Sequence, residues 1–308
     1  MNNILVTGGA GFIGTNLIKR LVKEKNYVIS IDNYSSGKIN NHIDNILVNY
    51  KDDDTRNIFK NKFYSSLRNI DLVIHLGEYS KIVPSFKEPD KVFEYNIEGS
   101  IEVIKYCTKN NISLIYSSSS TCLAEEGENH SPYTFSKSFI TKLIKNYGKW
   151  YGLNYNICYF YNVYGDKMDT CNDGYESVIS IFEKQYKKGE PLTVCGKGLQ
   201  KRDFTDVRDI VDGLIEVSKN INNEEYQLGS GEEFTILQLA YMFTDNNITF
   251  VDERPGDRKR SLADVENTKS KLVNWKPKYR LKDFIGKLKL LDYLNKKELE
   301  IKNKKCIN

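Results

Sequence analysis

Tyr133 and Lys137 stand four residues apart in Tyr133-Thr134-Phe135-Ser136-Lys137, which opens an amphipathic run that reads as a helix to about Trp150. Residues at i and i+4 share a helix face, so a phenol and an ammonium are brought together. A free tyrosine has a pKa near 10, leaving only ~0.1% phenolate at pH 7; a base working near neutrality needs a shift of ~3 units, or about 4 kcal/mol. A cation one turn away is a direct source of that shift. Such a pair alone occurs on many solvated helices, and its surroundings decide its meaning. Upstream, a strand ending at Ser117 releases Ser117-Ser118-Ser119-Ser120-Thr121. These hydroxyls fall at the carboxyl end of a sheet strand, where open α/β folds bind ligands, and one of them can relay a proton between a substrate and Tyr133.

A second constellation lies at the N-terminus. Strand Ile4–Thr7 runs into Gly8-Gly9-Ala10-Gly11-Phe12-Ile13-Gly14, which then opens a helix. The missing side chains let the turn tighten and let backbone N–H groups approach a pyrophosphate at the positive helix end. GxxGxxG by itself is a weak signal. Here a second strand ends at Asp32, 18 residues beyond Gly14. A carboxylate at that place accepts hydrogen bonds from an adenosine ribose diol and repels a 2′-phosphate, which favours NAD over NADP.

Holding these pieces together requires a sheet. Ile4–Thr7, Val28–Asp32, Leu72–His75, Leu114–Ser118 and Ile157–Tyr161 read as buried strands. Apolar residues at helical spacing separate them: Phe12, Leu17, Ile18, Leu21 and Val22, then Val92, Tyr95, Ile97, Ile101 and Ile104. Alternating β and α units predict a Rossmann-type, doubly wound parallel α/β sheet. After Gly165 the pattern loosens into the polar stretch Asp166–Gly174, a helix from Tyr175 to Lys188 and a loop around Gly196 and Gly198. The expected division is a cofactor-binding domain over 1–165, with 203–228 returning to it, and a smaller substrate-capping α/β portion over 166–308. Lys296–Asn308 reads as a frayed, solvated tail. His75 ends a buried strand and reads as a packed core residue.

Composition narrows the partners. Over 308 residues, 45 basic side chains nearly cancel 41 acidic ones to give +4, too little to mark a nucleic-acid binder without a local patch. No apolar run approaches the ~18 to 20 residues of a bilayer span. Six cysteines, at 107, 122, 158, 171, 195 and 306, form no CxxC pair and no metal-ligand spacing. With no signal-peptide pattern at the start, reduced thiols and a cytoplasmic address are expected.

GGAGFIG, Asp32-Asn33, the serine run and YTFSK together resemble the extended short-chain dehydrogenase/reductases, specifically the NAD-dependent nucleotide-sugar epimerases and dehydratases. Val73–Gly77 resembles the family's VIHLA strand, Tyr95-Asn96 its asparagine helix, and Tyr159–Gly165 its YFNVYG segment. Gly196–Gly198 with Arg202–Thr205 and Val207–Asp209 looks like GxGxxxRDFxxVxD, and Arg254–Asp257 like RPGD. The resemblance spans about residues 3–285.

The resemblance implies that Tyr133 is the catalytic base, that Lys137 holds the nicotinamide ribose and depresses the tyrosine pKa, and that Ser119 lies near the sugar 4-OH. Ser118 or Ser120 would take that place if the turn is shifted by one residue. It implies an NAD site formed by Gly8, Gly11, Phe12, Ile13, Gly14, Asp32, Asn33, Asp52, Leu76, Asn96 and Phe160 with the Tyr/Lys pair. Asn162, Arg202 and Arg254 would bind the nucleotide diphosphate, with Asp257 also in the substrate site, although Arg202 can instead pair with Asp203 or Asp209. The family commonly forms homodimers through the helix that carries Tyr133. Phe139, Ile140, Leu143 and Ile144, with Val92–Ile104, fit either such a seam or the core.

Three departures bear on the reaction. Family 4,6-dehydratases carry an Asp-Glu pair where this chain has Ser120-Thr121. The glutamate characteristic of related decarboxylases is missing here as well, whereas 4-epimerisation needs neither group. Cys122 lies close to the cysteine of GDP-sugar 3,5-epimerases, one residue too late, and a buried structural thiol is commoner. From Ser119 to Tyr133 is 14 positions, about ten fewer than usual in relatives, which predicts a more open substrate edge. Finally, the family places a gate residue seven positions after the RPGD arginine, here Ser261, and a small gate predicts room for an N-acetyl group. The reading is an NAD-dependent C4 epimerase of UDP-glucose and UDP-galactose, with UDP-N-acetylglucosamine and UDP-N-acetylgalactosamine also accepted. Its alternatives are a 4,6-dehydratase, decarboxylase, 4-keto reductase or 3,5-epimerase on the same scaffold, and, from another class, a non-catalytic dinucleotide-sensing protein.

Overall fold

The structure is a computed structural model that describes residues 2–67, 69–168 and 176–305. Seven strands form one all-parallel sheet: β1 (Asn3–Thr7), β2 (Tyr27–Asp32), β3 (Val48–Asp52), β4 (Leu72–His75), β5 (Ser113–Ser119), β6 (Tyr155–Phe160) and β7 (Glu225–Leu228). Their spatial order is β7-β6-β5-β4-β1-β2-β3. The chain reverses direction across the sheet between β1 and β4, so the switch point opens beside the glycine turn. Strand β3 is an addition to the expected set; its residues, Val48-Asn49-Tyr50-Lys51-Asp52, are only partly buried and too polar to read as a central strand.

Helices pack on both faces. After β1, α1 (Phe12–Lys23) buries Leu17, Ile18 and Leu21 against the sheet. A π-helical turn over Phe93–Gly99 feeds α2 (Ser100–Asn110), and α3 (Pro132–Tyr151) carries the Tyr/Lys pair. Helix α3 starts where Ser131 accepts from the Thr134 N–H and Pro132 occupies the first turn; it stops at Gly152, whose φ of 72° suits a residue without a Cβ.

Beyond β6, α4 (Val178–Lys188) and α6 (Ile236–Phe243) build a second apolar cluster around Phe182, Leu192, Val194, Leu239 and Phe243. Between them α5 (Val207–Ser218) packs against α1, and β7 extends the main sheet. Helix α4 begins at Val178, because the Ser177 hydroxyl caps it from the Ser180 N–H; Tyr175, and with it the start predicted there, lies outside the described residues, as do Cys171 and Cys306. The frayed tail expected over Lys296–Asn308 is instead helical as far as it is described, α7 running over Leu281–Lys305. Its Lys, Leu and Glu are strong helix formers, and a Lys296–Asp292 pair at 2.8 Å spans one turn. Among the described residues no helix is long and apolar enough to cross a membrane, no His/Cys/Asp/Glu group could hold a metal, and Cys107, Cys122, Cys158 and Cys195 are free thiols.

Candidate active site

A cavity of about 500 Å³ lies at the carboxyl edge of β1, β4 and β5, closed on its far side by the segment around Arg202 and the loop carrying Arg254–Arg258. Its floor is the glycine turn. A Cβ on Gly14 would meet the Gly8 carbonyl oxygen at 2.1 Å, and one on Gly8 would meet Gly77 backbone at 2.8 Å, so both positions are closed to any side chain. Gly11 is different: a Cβ there would meet only the Gly8 carbonyl, at 3.2 Å, so this residue presents bare backbone to the cavity. Gly11 caps α1 without a side-chain hydrogen bond, leaving the positive helix end to a ligand. Phe12, Ile13 and Gly14 line the cavity beside it.

Asp32 sits at the rim, buried, its carboxylate accepting from the backbone N–H groups of Ala10 and Tyr34, both at 2.9 Å. Burial raises its pKa, and those two hydrogen bonds oppose the rise. Asn33, Leu76 and Phe160 also line the cavity. A pyrophosphate cradle with an aspartate 18 residues further on suits a dinucleotide with a free ribose diol.

Three expected residues lie elsewhere. Asp52 ends β3 exposed, and the cavity is lined instead by Asp53, whose carboxylate accepts from Asn57, Asn61 and Tyr64. Asn96 is buried within the π-helical turn; its amide bridges the Tyr79 backbone and the Ser136 hydroxyl and thereby ties that turn to α3. Ser261 is buried with its hydroxyl unpartnered among the described residues, off the cavity wall, because its backbone is paired with Lys201 and Asp203. Cys122 is likewise absent from the lining and lies 3.5 Å from Ser118 Oγ.

Ser117, Ser118, Ser119, Ser120 and Thr121 all reach the cavity, yet only one hydroxyl is matched to the phenol. Ser117 donates to the His75 carbonyl, Ser118 shares a proton with Thr141, and Ser120 accepts from Arg258; Ser119 is the hydroxyl that pulls the Tyr133 pKa down. His75 is buried between Thr7 Oγ1 (2.6 Å) and Ser100 Oγ (2.8 Å), and burial pushes its pKa down to about 4, so it is a neutral core residue.

Glu78 was not anticipated. Its carboxylate is buried in the cavity wall and receives the Lys137 ammonium, the Tyr116 phenol (3.1 Å) and the Ser100 hydroxyl (2.7 Å). Lys137 also donates to the Ser117 carbonyl at 2.5 Å. Burial would lower the Lys137 pKa, but Glu78 beside it more than offsets that, and the lysine stands above its usual value. Lys137 lowers the tyrosine's pKa, but other influences outweigh it. Burial raises the Tyr133 pKa above the ordinary phenol, Lys137 and Ser119 pull it down by less, and Glu78 adds to the rise. The lysine's charge is largely answered by its own carboxylate. A carboxylic residue directly after the Leu76-Gly77 end of β4, on the ligand edge of the sheet, was the signal that could have revealed it.

The opposite wall is cationic. Arg202 pairs with Asp257, rather than with Asp203 or Asp209, and both line the cavity with Arg254 and Asn162. Asp203 instead collects the N–H groups of Ser230, Gly231 and Ala263, and Asp209 those of Lys278 and Tyr279. Arg258, also unanticipated, lies buried against Ser120. The shortened loop is anchored to this wall, Glu126 accepting from the Lys259 N–H at 2.9 Å.

Comparison with known proteins gives this cavity a lineage. Residues 4–229 match the NAD dependent epimerase/dehydratase family. A Methanocaldococcus jannaschii protein with the provisional name UDP-glucose 4-epimerase is 30% identical, over 92% of this chain and 96% of its own length. UDP-glucuronic acid decarboxylase 6 of Arabidopsis thaliana is 28% identical over 91% of this chain and 85% of its own. A UDP-N-acetylglucosamine 4-epimerase from Methanobrevibacter ruminantium, solved in complex with UDP-N-acetylmuramic acid, superposes with a TM-score of 0.82 at 31% identity, covering 93% and 96% of the two chains. The chain is an enzyme of the NAD dependent epimerase/dehydratase family, and its cofactor is NAD.

Proposed function

We propose that this enzyme inverts C4 of a UDP-hexose through a transient 4-keto sugar. The observation that carries the reading is the cluster of Tyr133, Ser119 and Lys137 beside two hydroxyl residues, Ser120 and Thr121, with no carboxylate at those two positions to expel water from C5 and C6. The relationship to a provisionally named UDP-glucose 4-epimerase supports it.

Gly8–Gly14 would hold the NAD pyrophosphate and Asp32 its adenosine ribose, and the cofactor would supply a reversible hydride acceptor. The chain's own residues handle the proton. Ser119 holds the sugar 4-OH against Tyr133 and the phenolate accepts its proton, so the C4–O bond becomes a carbonyl as the hydride leaves. After the keto sugar turns its other face, Tyr133 gives the proton back. Asn162, Arg202 and Arg254 hold the diphosphate while the sugar turns, and a guanidinium fork suits that task. Preference for N-acetylhexosamines, argued from Ser261, is not part of this reading, since that side chain is off the cavity wall. A homodimer is part of it: Phe93, Phe135 and Phe139 form an exposed aromatic strip across the π-helical turn and α3, whereas Ile140 and Ile144 belong to the core.

The test is to incubate the NAD-loaded enzyme with UDP-, dTDP- and GDP-sugars and follow C4 stereochemistry by NMR. Inversion at C4 of a UDP-sugar is expected. A 4-keto-6-deoxy product would overturn the reading.

A further inference from the structure

Arg258 is only 6% exposed and lines the cavity, yet among the described residues it has no ion-pair partner. Its one hydrogen bond there runs from Nη2 to Ser120 Oγ at 3.2 Å, and its Nε is buried with no partner. Thr121 repeats the pattern: its hydroxyl is buried, unpartnered among the described residues, and on the same cavity wall. The nearest acid of the shortened loop, Glu126, accepts from the Lys259 N–H; its charge is felt at Arg258, but the two form no ion pair. A buried charge without a counter-ion is costly, and sites that keep one usually owe it to a ligand.

Position decides which part of the ligand. Arg202 is occupied with Asp257 and the Lys201 carbonyl. Arg258 reaches Ser120, the neighbour of Ser119, and besides the charge of Arg202 it feels that of Tyr133. Hydrogen-bonded to Ser120, the arginine without an ion pair stands beside the serine run that carries Ser119, with the hydroxyls of Ser120 and Thr121 on the same wall.

We propose that the sugar carries a carboxylate, as a hexuronate does at C6, and that Arg258, with Ser120 and Thr121, is the pocket that receives it. The inference rests on the C4 epimerase reading and adds the charge of the substrate. The chemistry at C4 is unchanged: the 4-OH proton goes to Tyr133, the C4 hydride goes to NAD, and both return, so the carboxylate is bound and not consumed. A neutral hydroxymethyl group in the same place would leave the guanidinium buried and unpaired in the complex, which costs affinity.

The experiment compares UDP-glucuronate with UDP-glucose on the wild-type NAD-loaded enzyme, by NMR for products and by equilibrium titration for binding. We expect kcat/KM for the uronate to exceed that for the hexose by about 100-fold or more, in line with a buried guanidinium–carboxylate pair. Arg258→Met should collapse that ratio about 100-fold, and Arg258→Lys should restore part of it. Efficient inversion of UDP-glucose with no uronate preference overturns the inference and leaves the epimerase reading standing. Loss of CO2 from UDP-glucuronate, giving a UDP-pentose, supports the anionic sugar and overturns the epimerase reading. If Arg258→Met weakens binding of UDP itself as much as that of UDP-glucuronate, Arg258 serves the diphosphate and the inference fails. The wild-type binding comparison stands even if an Arg258 variant does not fold.

Discussion

On the side of the glycine turn, Asp32 is bonded to Ala10 and Tyr34, Lys137 lies on Glu78, and His75 is held in the core between Thr7 and Ser100, whereas on the opposite wall Arg258 Nε and the Thr121 hydroxyl are buried without partners among the described residues. The floor is finished before any ligand arrives. Its backbone and its carboxylates set a shape that one cofactor fits, and little charge is left over. The far wall is unfinished, and its surplus positive charge says what must complete it. A small ligand with a negative end therefore contributes more to this wall than to the floor, and substitutions should divide the same way: those on the floor change cofactor binding or proton affinity, those on the wall change which sugar is accepted.

The largest expected effect tests whether the two regions meet in one reaction. Tyr133→Phe removes the hydroxyl that accepts the proton and leaves the ring in place. Turnover should fall about 10³-fold, within the usual span for a lost general acid–base group, while NAD binding stays within about twofold. NMR of the C4 configuration of the UDP-sugar and equilibrium titration with NAD would measure both. Retained turnover would break the assignment, and it would also revive the dinucleotide-sensing reading, which has no need of the phenol.

Next in size is a contrast inside the glycine turn. Gly14→Ala drives a Cβ to 2.1 Å from the Gly8 carbonyl and 2.7 Å from Gly9 Cα, backbone on both sides, so the fold should lose roughly 3 kcal/mol in urea melts. Gly11→Ala meets only the Gly8 carbonyl, at 3.2 Å, with a φ of −78° that alanine adopts freely. Its stability should hold, and NAD affinity should fall about tenfold because the new methyl points at the cradle. Equal losses of stability in the two variants would show that Gly11 is a packing glycine like Gly14, and the floor would lose its one open position.

These regions also differ in how far the sequence reveals them. Strand, turn and helix around Gly8–Gly14 are contiguous, and the i,i+4 spacing of Tyr133 and Lys137 fixes their common face, so local rules reach both. The alternation of β and α runs is equally local and yields the parallel sheet, apart from β3, whose mixed residues hide its period. Asp52 was missed by one residue, since the end of a strand decides whether the next side chain turns inward. The far wall depends on contacts between distant segments: Arg202 with Asp257, and Arg258 with Ser120 across 138 positions. Spacing from Arg254 pointed to Ser261, but the pairing of Ser261 with Lys201 and Asp203, which no spacing encodes, turns that residue off the cavity and leaves Arg258 on it.

The smallest expected effect concerns Glu78, a carboxylate of the cavity wall that acts through a neighbour. With its carboxylate against Lys137, the ammonium cannot exert its full pull on Tyr133, whose pKa burial has already raised. Glu78→Gln keeps a hydrogen-bond acceptor for Lys137 and Ser100 but removes the charge. The lysine then loses the carboxylate that lifts its own pKa, and Tyr133 becomes easier to ionise. Because the phenolate is the active form, the acid limb of the kcat/KM profile should move to lower pH, by about one unit, the usual size for a neighbouring charge. The alkaline limb should also move down, because a buried ammonium without its carboxylate deprotonates sooner. A merely structural glutamate would lower the whole profile and leave both limbs where they were. That outcome would make Glu78 part of the packing and return control of the tyrosine to Lys137 alone.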